Sequence, residues 1–321
     1  MAVNPRNNHQ FKHRLTCVLT IFLISVGIFS YIYLKNVSKP GTEAIGCRQD
    51  CATVGGGNGR YLNILTLNML HGYPDYLYLE QRVDLIASEI RKLNPDFVFL
   101  QEVPFIKNHD NFVTCLAEKT GMNYVYFRAN GNLKLIGFEE GQLILSRFPL
   151  QDIHFTELMP QAAFFEHRVV LHAKTETPQG GIDLYVTHLT NGATEINKAQ
   201  TNALLEYVEK TATNTAVIAG DFNAAETTSQ IKTLNAQWID SYRTIHPHDS
   251  GFTCCVNQLL NGDPNSFDSR LDYLFISPRT NEVIVHDAAL VWKRPYPTPD
   301  GNLWASDHIG LLVTLELVTS E

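Results

Sequence analysis

The sequence lacks the spacings that hold structural zinc: no CxxC…CxxC and no Cys/His cluster occurs among its 6 cysteines and 12 histidines. No repeat of 20–50 residues is visible, which argues against solenoids and propellers. With 20 Gly and 14 Pro it is too poor in both for collagen-like or low-complexity sequence. It also lacks a basic field. Residues 1–34 contain Arg6, Lys12 and Arg14 and no acid, which leaves 22 bases against 33 acids in the rest. Such a surface repels polyanions and offers no broad footprint for gripping nucleic acid, although a bound divalent metal would reverse the sign locally. What is present is apolar substance: 44% hydrophobic residues with 18% charged, which excludes a disordered chain. About 280 residues beyond the N-terminal segment are enough to bury one large core without disulfides.

Leu15 to Leu34 reads LTCVLTIFLISVGIFSYIYL, without a formal charge. As a helix it spans roughly 30 Å, the thickness of a bilayer's hydrocarbon core. Lys12, His13 and Arg14 precede it, and Tyr31, Tyr33 and Lys35 mark the far interface. A cleaved signal peptide has a shorter apolar region ending at a small-residue site, and Ala44-Ile45-Gly46 lies well past the run. The segment therefore reads as an uncleaved transmembrane signal anchor over residues 15–34, after a basic tail at 1–14. The basic bias places the N-terminus in the cytoplasm and the body outside it or in a lumen. Residues 35–60, with Pro40, Gly41 and Gly55-Gly56-Gly57-Asn58-Gly59, read as a flexible tether. Cys47 and Cys51 are spaced to close a small loop in an oxidising compartment, and the odd number outside the anchor leaves a free thiol. Asn36-Val37-Ser38 fits a glycosylation sequon that abuts the membrane.

Beyond the tether, YLNILTLNML at 61–70 is a buried-strand pattern. Leu79, Val83, Ile86 and Ile90 recur at helical spacing, Asn94-Pro95-Asp96 breaks the helix, and FVFLQEV at 97–103 is a second strand. Further strands are expected at 123–129, 133–138, 142–146, 166–174, 182–189, 215–220, 271–277, 283–291 and 309–317, with helices at 110–120 and 195–210. So many strands with so few helices suit two packed sheets flanked by helices better than a regular parallel array.

Polar residues end these apolar strands. Asn68 ends ILTLN, Glu102 ends FVFLQE and His188 ends LYVTH; Asp221 and Asn223 follow VIAG, Asp272 opens DYLFI, and Asp307-His308 precedes IGLLVTL. Singly, each is explained by a turn, a cap or a satisfied core histidine. Together they would bring six strand ends to one rim of a sandwich, where unpaired carboxylates would be costly. The segments Asn68, Gln101-Glu102, Thr187-His188-Leu189, Gly220-Asp221-Phe222-Asn223, Arg270-Leu271-Asp272-Tyr273 and Ser306-Asp307-His308 resemble the endonuclease/exonuclease/phosphatase superfamily, in order and spacing, over roughly residues 61–318. That superfamily includes pancreatic-type deoxyribonucleases, abasic-site endonucleases, inositol-polyphosphate 5-phosphatases and neutral sphingomyelinases. The resemblance implies a four-layer α/β sandwich over 61–321 and metal-dependent cleavage of phosphate esters.

The chemistry needs these residue types. A phosphodiester repels hydroxide, so hydrolysis requires a cation to neutralise it and a base to make the nucleophile. Glu102 is a hard oxygen ligand suited to Mg²⁺, with Mn²⁺ and Ca²⁺ as other candidates, and Asn68 completes the coordination directly or through water. His308 is the expected general base, its tautomer fixed by Asp307 or another carboxylate; the resemblance would instead let Asp307 contact metal. Asp221 and Asn223 orient the attacking water and a phosphoryl oxygen, His188 donates to the phosphate, and Asp272 supports the His188 side. Arg168 matches a phosphate-contacting arginine of some superfamily members, and a solvated strand charge explains it equally. His154, His167, His172, His246 and His248 receive no role, and Cys254-Cys255 reads as a buried pair.

The expected substrate is a phosphate ester in a membrane lipid, reached by a single-pass anchored enzyme. The anchor, the acidic body and the loop WKRPYPTPDGNLW at 292–304 favour it, Trp292, Tyr296 and Trp304 being placed to meet headgroups as in the aromatic loops of neutral sphingomyelinases. A nuclease is the alternative, for which Lys293, Arg294, Arg168, Lys134 and Arg128 are too scattered to form a stripe. A 5-phosphatase would want a dense basic cluster that is absent. A catalytically inactive binding domain would have lost Glu102, Asp221 or His308, and all three are present. Nothing in the sequence calls for an obligate protein partner.

Overall fold

The computed structural model describes residues 5–46, 52–55, 59–109, 111–279 and 282–318, and it divides into two units after Lys39. The first unit is one helix, α1 (Pro5–Ser38). Its stretch Leu15–Asn36 has a mean hydropathy of 2.3 over 22 residues, a length and composition shared by membrane anchors and signal sequences.

In the second unit the strands are β1 (Ile45–Gly46), β2 (Leu62–Asn68), β3 (Phe97–Ile106), β4 (Asn123–Asn132), β5 (Phe138–Ser146), β6 (Gln151–Glu157), β7 (Val169–Thr177), β8 (Gly180–His188), β9 (Thr215–Asp221), β10 (Ile239–Asp240), β11 (Asp272–Ser277), β12 (Glu282–Val291), β13 (Tyr296–Thr298), β14 (Gly301–Leu303) and β15 (Gly310–Val318). The helices are α2 (Leu79–Leu93), α3 (Phe112–Thr120), α4 (Thr194–Thr211), α5 (Ser229–Asn235) and α6 (Ser241–Ile245). One sheet runs β1-β4-β5-β3-β2-β15-β12, the other β10-β11-β9-β8-β7-β6, and β13 and β14 form a separate hairpin.

Each sheet is built around one parallel pair with a helical crossover, β2-α2-β3 and β8-α4-β9. The inner faces meet in a core that includes Ile64, Phe99, Leu184, Val217, Leu274 and Val313. Apolar residues on the outer face of the first sheet are covered by α2 and α3, through Val83, Ile86 and Leu116. Those on the second are covered by α4 and α5, through Leu204, Val208 and Ile231. The result is the expected four-layer α/β/β/α sandwich, and the central strands are buried on both faces because helices cover what the opposite sheet does not.

Three expectations change. Residues 133–137 are not a strand but the turn of the β4–β5 hairpin, with Gly131 near the end of β4 and Gly137 before β5 both at positive φ; a Cβ at Gly131 would overlap the Phe138 carbonyl. The single strand β5 replaces two short ones. The segment expected to be a free tether is partly docked: Ile45 pairs with Tyr126, the Gly41 amide donates to Arg128 O at 2.9 Å, and the Val54 amide donates to Arg147 O at 2.7 Å. An otherwise open edge of β4 accounts for this, since its unpaired backbone groups take a partner. Cys47, Cys51 and most of the glycine run lie outside the described residues.

Candidate active site

The topology gathers the polar strand ends. β2 and β3 run parallel, as do β8 and β9, so Asn68 and Glu102 leave one sheet at the same end, and His188 and Asp221 leave the other. β15 and β11 run antiparallel to these strands and therefore begin there, bringing His308 and Asp272 to the rim. Two local devices aim the carboxylates. A register shift in β3 between Leu100 and Val103, with Glu102 at φ 56°, is a bulge that turns Glu102 out of the ladder. Gly220 precedes Asp221 at φ 150°, and a Cβ there would overlap the Thr187 carbonyl oxygen of the neighbouring strand.

The side chains meet between the sheets. Asn68 Nδ2 donates to Glu102 Oε1 and to Asp221 Oδ2, both at 3.0 Å. Asp221 Oδ2 lies 3.5 Å from His188 Nε2 and 3.8 Å from His308 Nε2. Asn223, at φ 49°, donates through Nδ2 to Leu189 O at 2.9 Å and lies 2.9 Å from His188 Nε2. Asp272 Oδ2 is 2.8 Å from His308 Nδ1. The expectation that Asp272 supports the His188 side is therefore corrected: β11 pairs with β9 so that Asp272 stands opposite Asp221, within reach of the start of β15. Asp307 is half-buried with its Oδ1 3.3 Å from Ser306 Oγ; it faces the charges of His308, Glu102 and Arg82, while the hydrogen bond to His308 Nδ1 comes from Asp272.

Environment separates the acids. Burial pushes Asp221 up to about 7, reinforced by the charge of Asp272 and opposed by His308 and the Asn68 hydrogen bond. Glu102 moves the other way. Burial works against its charge, but His188 and His71 nearby, and hydrogen bonds from Asn68 and the His71 amide, hold it well below the usual carboxylate range. Burial and Arg168 drive His188 well below its usual value, so it is neutral at pH 7 and the hydrogen bonds are what hold Glu102 ionised there. Burial also opposes charge on His308, yet Asp272, Asp221 and Asp307 outweigh it and raise it well above the ordinary histidine value. His308, Asp221 and Asp272 thus form a proton-rich cluster beside an ionised Glu102.

Sequence inspection missed four contributors. Arg82 is fully buried and donates to Met69 O at 2.7 Å, Leu70 O at 2.9 Å, Leu77 O at 3.2 Å and Ala305 O at 3.4 Å, tying the loop after Asn68 to the residues before Asp307. Burial lowers it to about 10, with Asp307 and Glu102 favouring its charge. Its position one helical turn from Leu79 and Ile86 on the apolar face was the available signal. His71 lies beside Glu102, its amide donating to Oε2 at 3.1 Å. Glu140 is buried with Oε2 unpartnered, and burial raises it. The fourth is the segment Thr253–Val256, where Thr253 Oγ1 accepts from the Asp272 amide and Thr253 O from the Ile309 amide. Of the remaining candidates, Arg168 donates to Glu166 at 2.7 Å and keeps a buried Nε without a partner. Trp292 and Trp304 are buried, Trp304 donating to Gly262 O at 3.1 Å, because β13 and β14 fold the 292–304 loop inward; they are not an interfacial belt. His172 is a core histidine paired with Asp183 at 2.7 Å.

The donor set fits a hard divalent cation. Glu102, Asn68 and Asp307 offer carboxylate and amide oxygens, Asn68 hydrogen-bonded to Glu102 and Asp307 in its electrostatic field, while Asp221, Asp272 and His308 bring ligand atoms within 4.8 Å of one another, with Asp272 Oδ1 buried and without a partner. A cation held by Glu102, with Asn68 and Asp307, would neutralise phosphate charge and polarise a phosphoryl oxygen. The protein groups supply the rest, His308 Nε2 and Asp221 Oδ2 standing 3.8 Å apart.

Comparison with known proteins places this geometry. The profile of the Endonuclease/Exonuclease/phosphatase family matches residues 65–308. No curated protein sequence matches the chain. Among solved structures, a protein of that description from Beutenbergia cavernae is 22% identical, with a TM-score of 0.62 over 81% of this chain and 72% of its own. One from Bacteroides thetaiotaomicron is 17% identical, with a TM-score of 0.64 over 81% and 98%. The human Nocturnin catalytic domain, solved with a bound sulfate anion, is 19% identical, with a TM-score of 0.62 over 86% and 97%.

Proposed function

The chain belongs to the endonuclease/exonuclease/phosphatase family, whose members are typically phosphoester hydrolases that use a divalent metal, and on that premise we propose that it is a phosphodiesterase acting on a phospholipid headgroup. In this reading a cation in the cleft would offset the carboxylates that keep His308 charged in metal-free protein, freeing Nε2 to take the proton of the attacking water while Asp272 holds Nδ1. Asp221 and the Asn223 amide orient that water. His188, kept neutral by burial, and Arg168 face the phosphoryl oxygens as charge develops on them. Glu102, Asn68 and Asp307 hold Mg²⁺, or Mn²⁺ or Ca²⁺ in its place.

One observation carries the lipid assignment. β4 and β5 turn, β6 passes to β7, and β2 passes to α2 at the same end of the sandwich as the site, and those three connections expose Leu135 and Ile136, Met159 and Phe165, and Tyr73 and Leu77, each between 42% and 59%. Six large apolar side chains at the mouth of a polar cleft suit an interface with acyl chains. Lys134, exposed on the β4–β5 turn, and Lys107, exposed just after β3, suit its phosphates. These residues take the place of the tryptophans that the sequence suggested. An enzyme anchored through Leu15–Asn36, with its catalytic domain outside the cytoplasm or in a lumen, would meet such a surface directly.

The test is a substrate panel on the full chain in mixed micelles: sphingomyelin, phosphatidylcholine, supercoiled plasmid and an inositol polyphosphate, each with Mg²⁺ and with EDTA. Release of a phosphorylated headgroup, reduced by Leu135→Ser/Ile136→Ser for micellar but not monomeric esters, is expected. Cleavage of plasmid alone would overturn the lipid assignment in favour of a nuclease.

A further inference from the structure

Arg168, just before β7, lies on the His188 side of the site, and the segment that carries it is fixed from several sides. The Leu158 amide donates to Arg168 O at 2.7 Å, the His167 amide to Asn130 Oδ1 at 2.7 Å, and the Glu166 amide to Ala163 O at 3.1 Å. His167 Nδ1 stands 2.6 Å from Glu157 Oε1. The Arg168 side chain is only 11% exposed, and its charge is the largest acting on His188. The guanidinium is already partnered. Its Nη2 donates to Glu166 Oε1 at 2.7 Å, while its Nε is buried without a partner. Glu166 is the more open member of the pair, with 38% of its side chain exposed. A free guanidinium offers a planar fork that grips two oxygens of a phosphate at once. Here a carboxylate holds one nitrogen of that fork, so Arg168 presents a single buried N–H and a charge that is partly offset.

We propose that Glu166 is a specificity-determining residue that restricts the site to monoanionic phosphate diesters by occupying Arg168. The proposal deepens the phosphodiesterase reading and rests on it. A diester carries one negative charge on two non-bridging oxygens, and one of these can accept from Arg168 Nε while Glu166 stays in place. A monoester near pH 8 carries about two charges on three oxygens, as each phosphate of an inositol polyphosphate does. To hold it, Arg168 must either release Glu166 or keep both, and in the second case the added charge lies against the carboxylate. Discrimination then comes from a repulsive group set beside the attractive one. Sphingomyelin and phosphatidylcholine pass this filter because they are monoanionic diesters. Glu166 touches neither the substrate nor a cation; it acts through Arg168. The hydrogen bonds that fix residues 166–168 keep the pair in one arrangement, unlike a loose surface ion pair, which contributes little.

The experiment compares bis(4-nitrophenyl) phosphate with 4-nitrophenyl phosphate on the full chain in detergent with Mg²⁺ near pH 8, for wild type, Glu166→Gln and Glu166→Ala. Both variants are expected to raise kcat/KM for the monoester relative to the diester by about tenfold at low salt, the size of one charge–charge interaction in a partly screened cleft, and by less at high salt. In an Arg168→Ala background Glu166→Gln is expected to leave that ratio where it is, because the carboxylate then has nothing to act through. An unchanged ratio in both Glu166 variants, or the same rise without Arg168, would overturn the proposal. A binding measurement separates it from the hydrolase reading. The Arg168 Nε–H resonance is followed in metal-free protein as dimethyl phosphate, a monoanion, or phenylphosphonate, a dianion, is added. Glu166→Gln is expected to tighten phenylphosphonate by about tenfold relative to dimethyl phosphate. If neither ester is turned over but this tightening is seen, the filter stands and the hydrolase reading fails; if the tightening is absent, the filter fails whatever the turnover.

Discussion

Glu102 and Asp221 are reached by the same Asn68 amide, at the same 3.0 Å, and are driven in opposite directions. Glu102 sits on a bulge at the open side of the cleft, ringed by donors, and stays ionised. Asp221 lies wholly between the sheets, shares its surroundings with Asp272, and rises to about 7. On the proposed reading the two βαβ halves of the sandwich deliver one carboxylate suited to hold a cation and one suited to handle a proton. Pairs of titratable groups pushed apart in this way mark the division of labour in hydrolytic sites.

The comparison breaks most sharply at the proton-handling side. His308→Ala removes the group that Asp272 orients, and kcat is expected to fall by about 10⁴-fold, measured on a soluble phosphodiester; a loss below tenfold would deny it the role of base. Next is the cation side. Glu102→Gln is expected to cost about 10²- to 10³-fold, with a matching rise in the Mg²⁺ concentration needed for half-maximal rate. Arg82→Met leaves up to four carbonyls without their donor and is expected to cost about 3 kcal/mol of stability, read by urea unfolding, together with weaker Mg²⁺ binding by calorimetry.

The smallest effect separates the two acids directly, in metal-free protein. Asp221 has its folded value above its ordinary 3.8, so its contribution to stability is full below that pH and is lost as pH rises through about 7. Glu102 has its folded value below its ordinary 4.5, so its contribution is present above that pH and is lost as pH falls toward its depressed folded value. Asp221→Asn should therefore flatten the neutral limb of Tm against pH, and Glu102→Gln the acid limb, each by about 3 °C. Identical limbs in both variants would erase the distinction.

Much of this arrangement was legible in the chain. Apolar runs ending in Asn68, His188 and Asp221 mark strands whose last residue reaches the rim, whereas Glu102 lies within β3, which runs on to Ile106, and reaches the site through a bulge. What could not be read was which partner each group finds. Asp272 serves His308 because of the β9–β11 register, a long-range pairing with no local signature. Trp292 and Trp304 are inside because a hairpin turns their loop back on itself, whereas composition alone placed them at an interface. Arg82 sat in plain view on an apolar helical face, but its meaning depends on joining nearby carbonyls to that of Ala305, 223 residues away.

The most direct measurement is hydrolysis of bis(4-nitrophenyl) phosphate by the full chain in detergent, followed as nitrophenolate release with Mg²⁺ and then with excess EDTA. Steady release that EDTA stops, and that is absent from His308→Ala, is the expected result. Release that continues unchanged in EDTA or in that variant would contradict a single centre in which Glu102 holds a cation and His308 takes the proton.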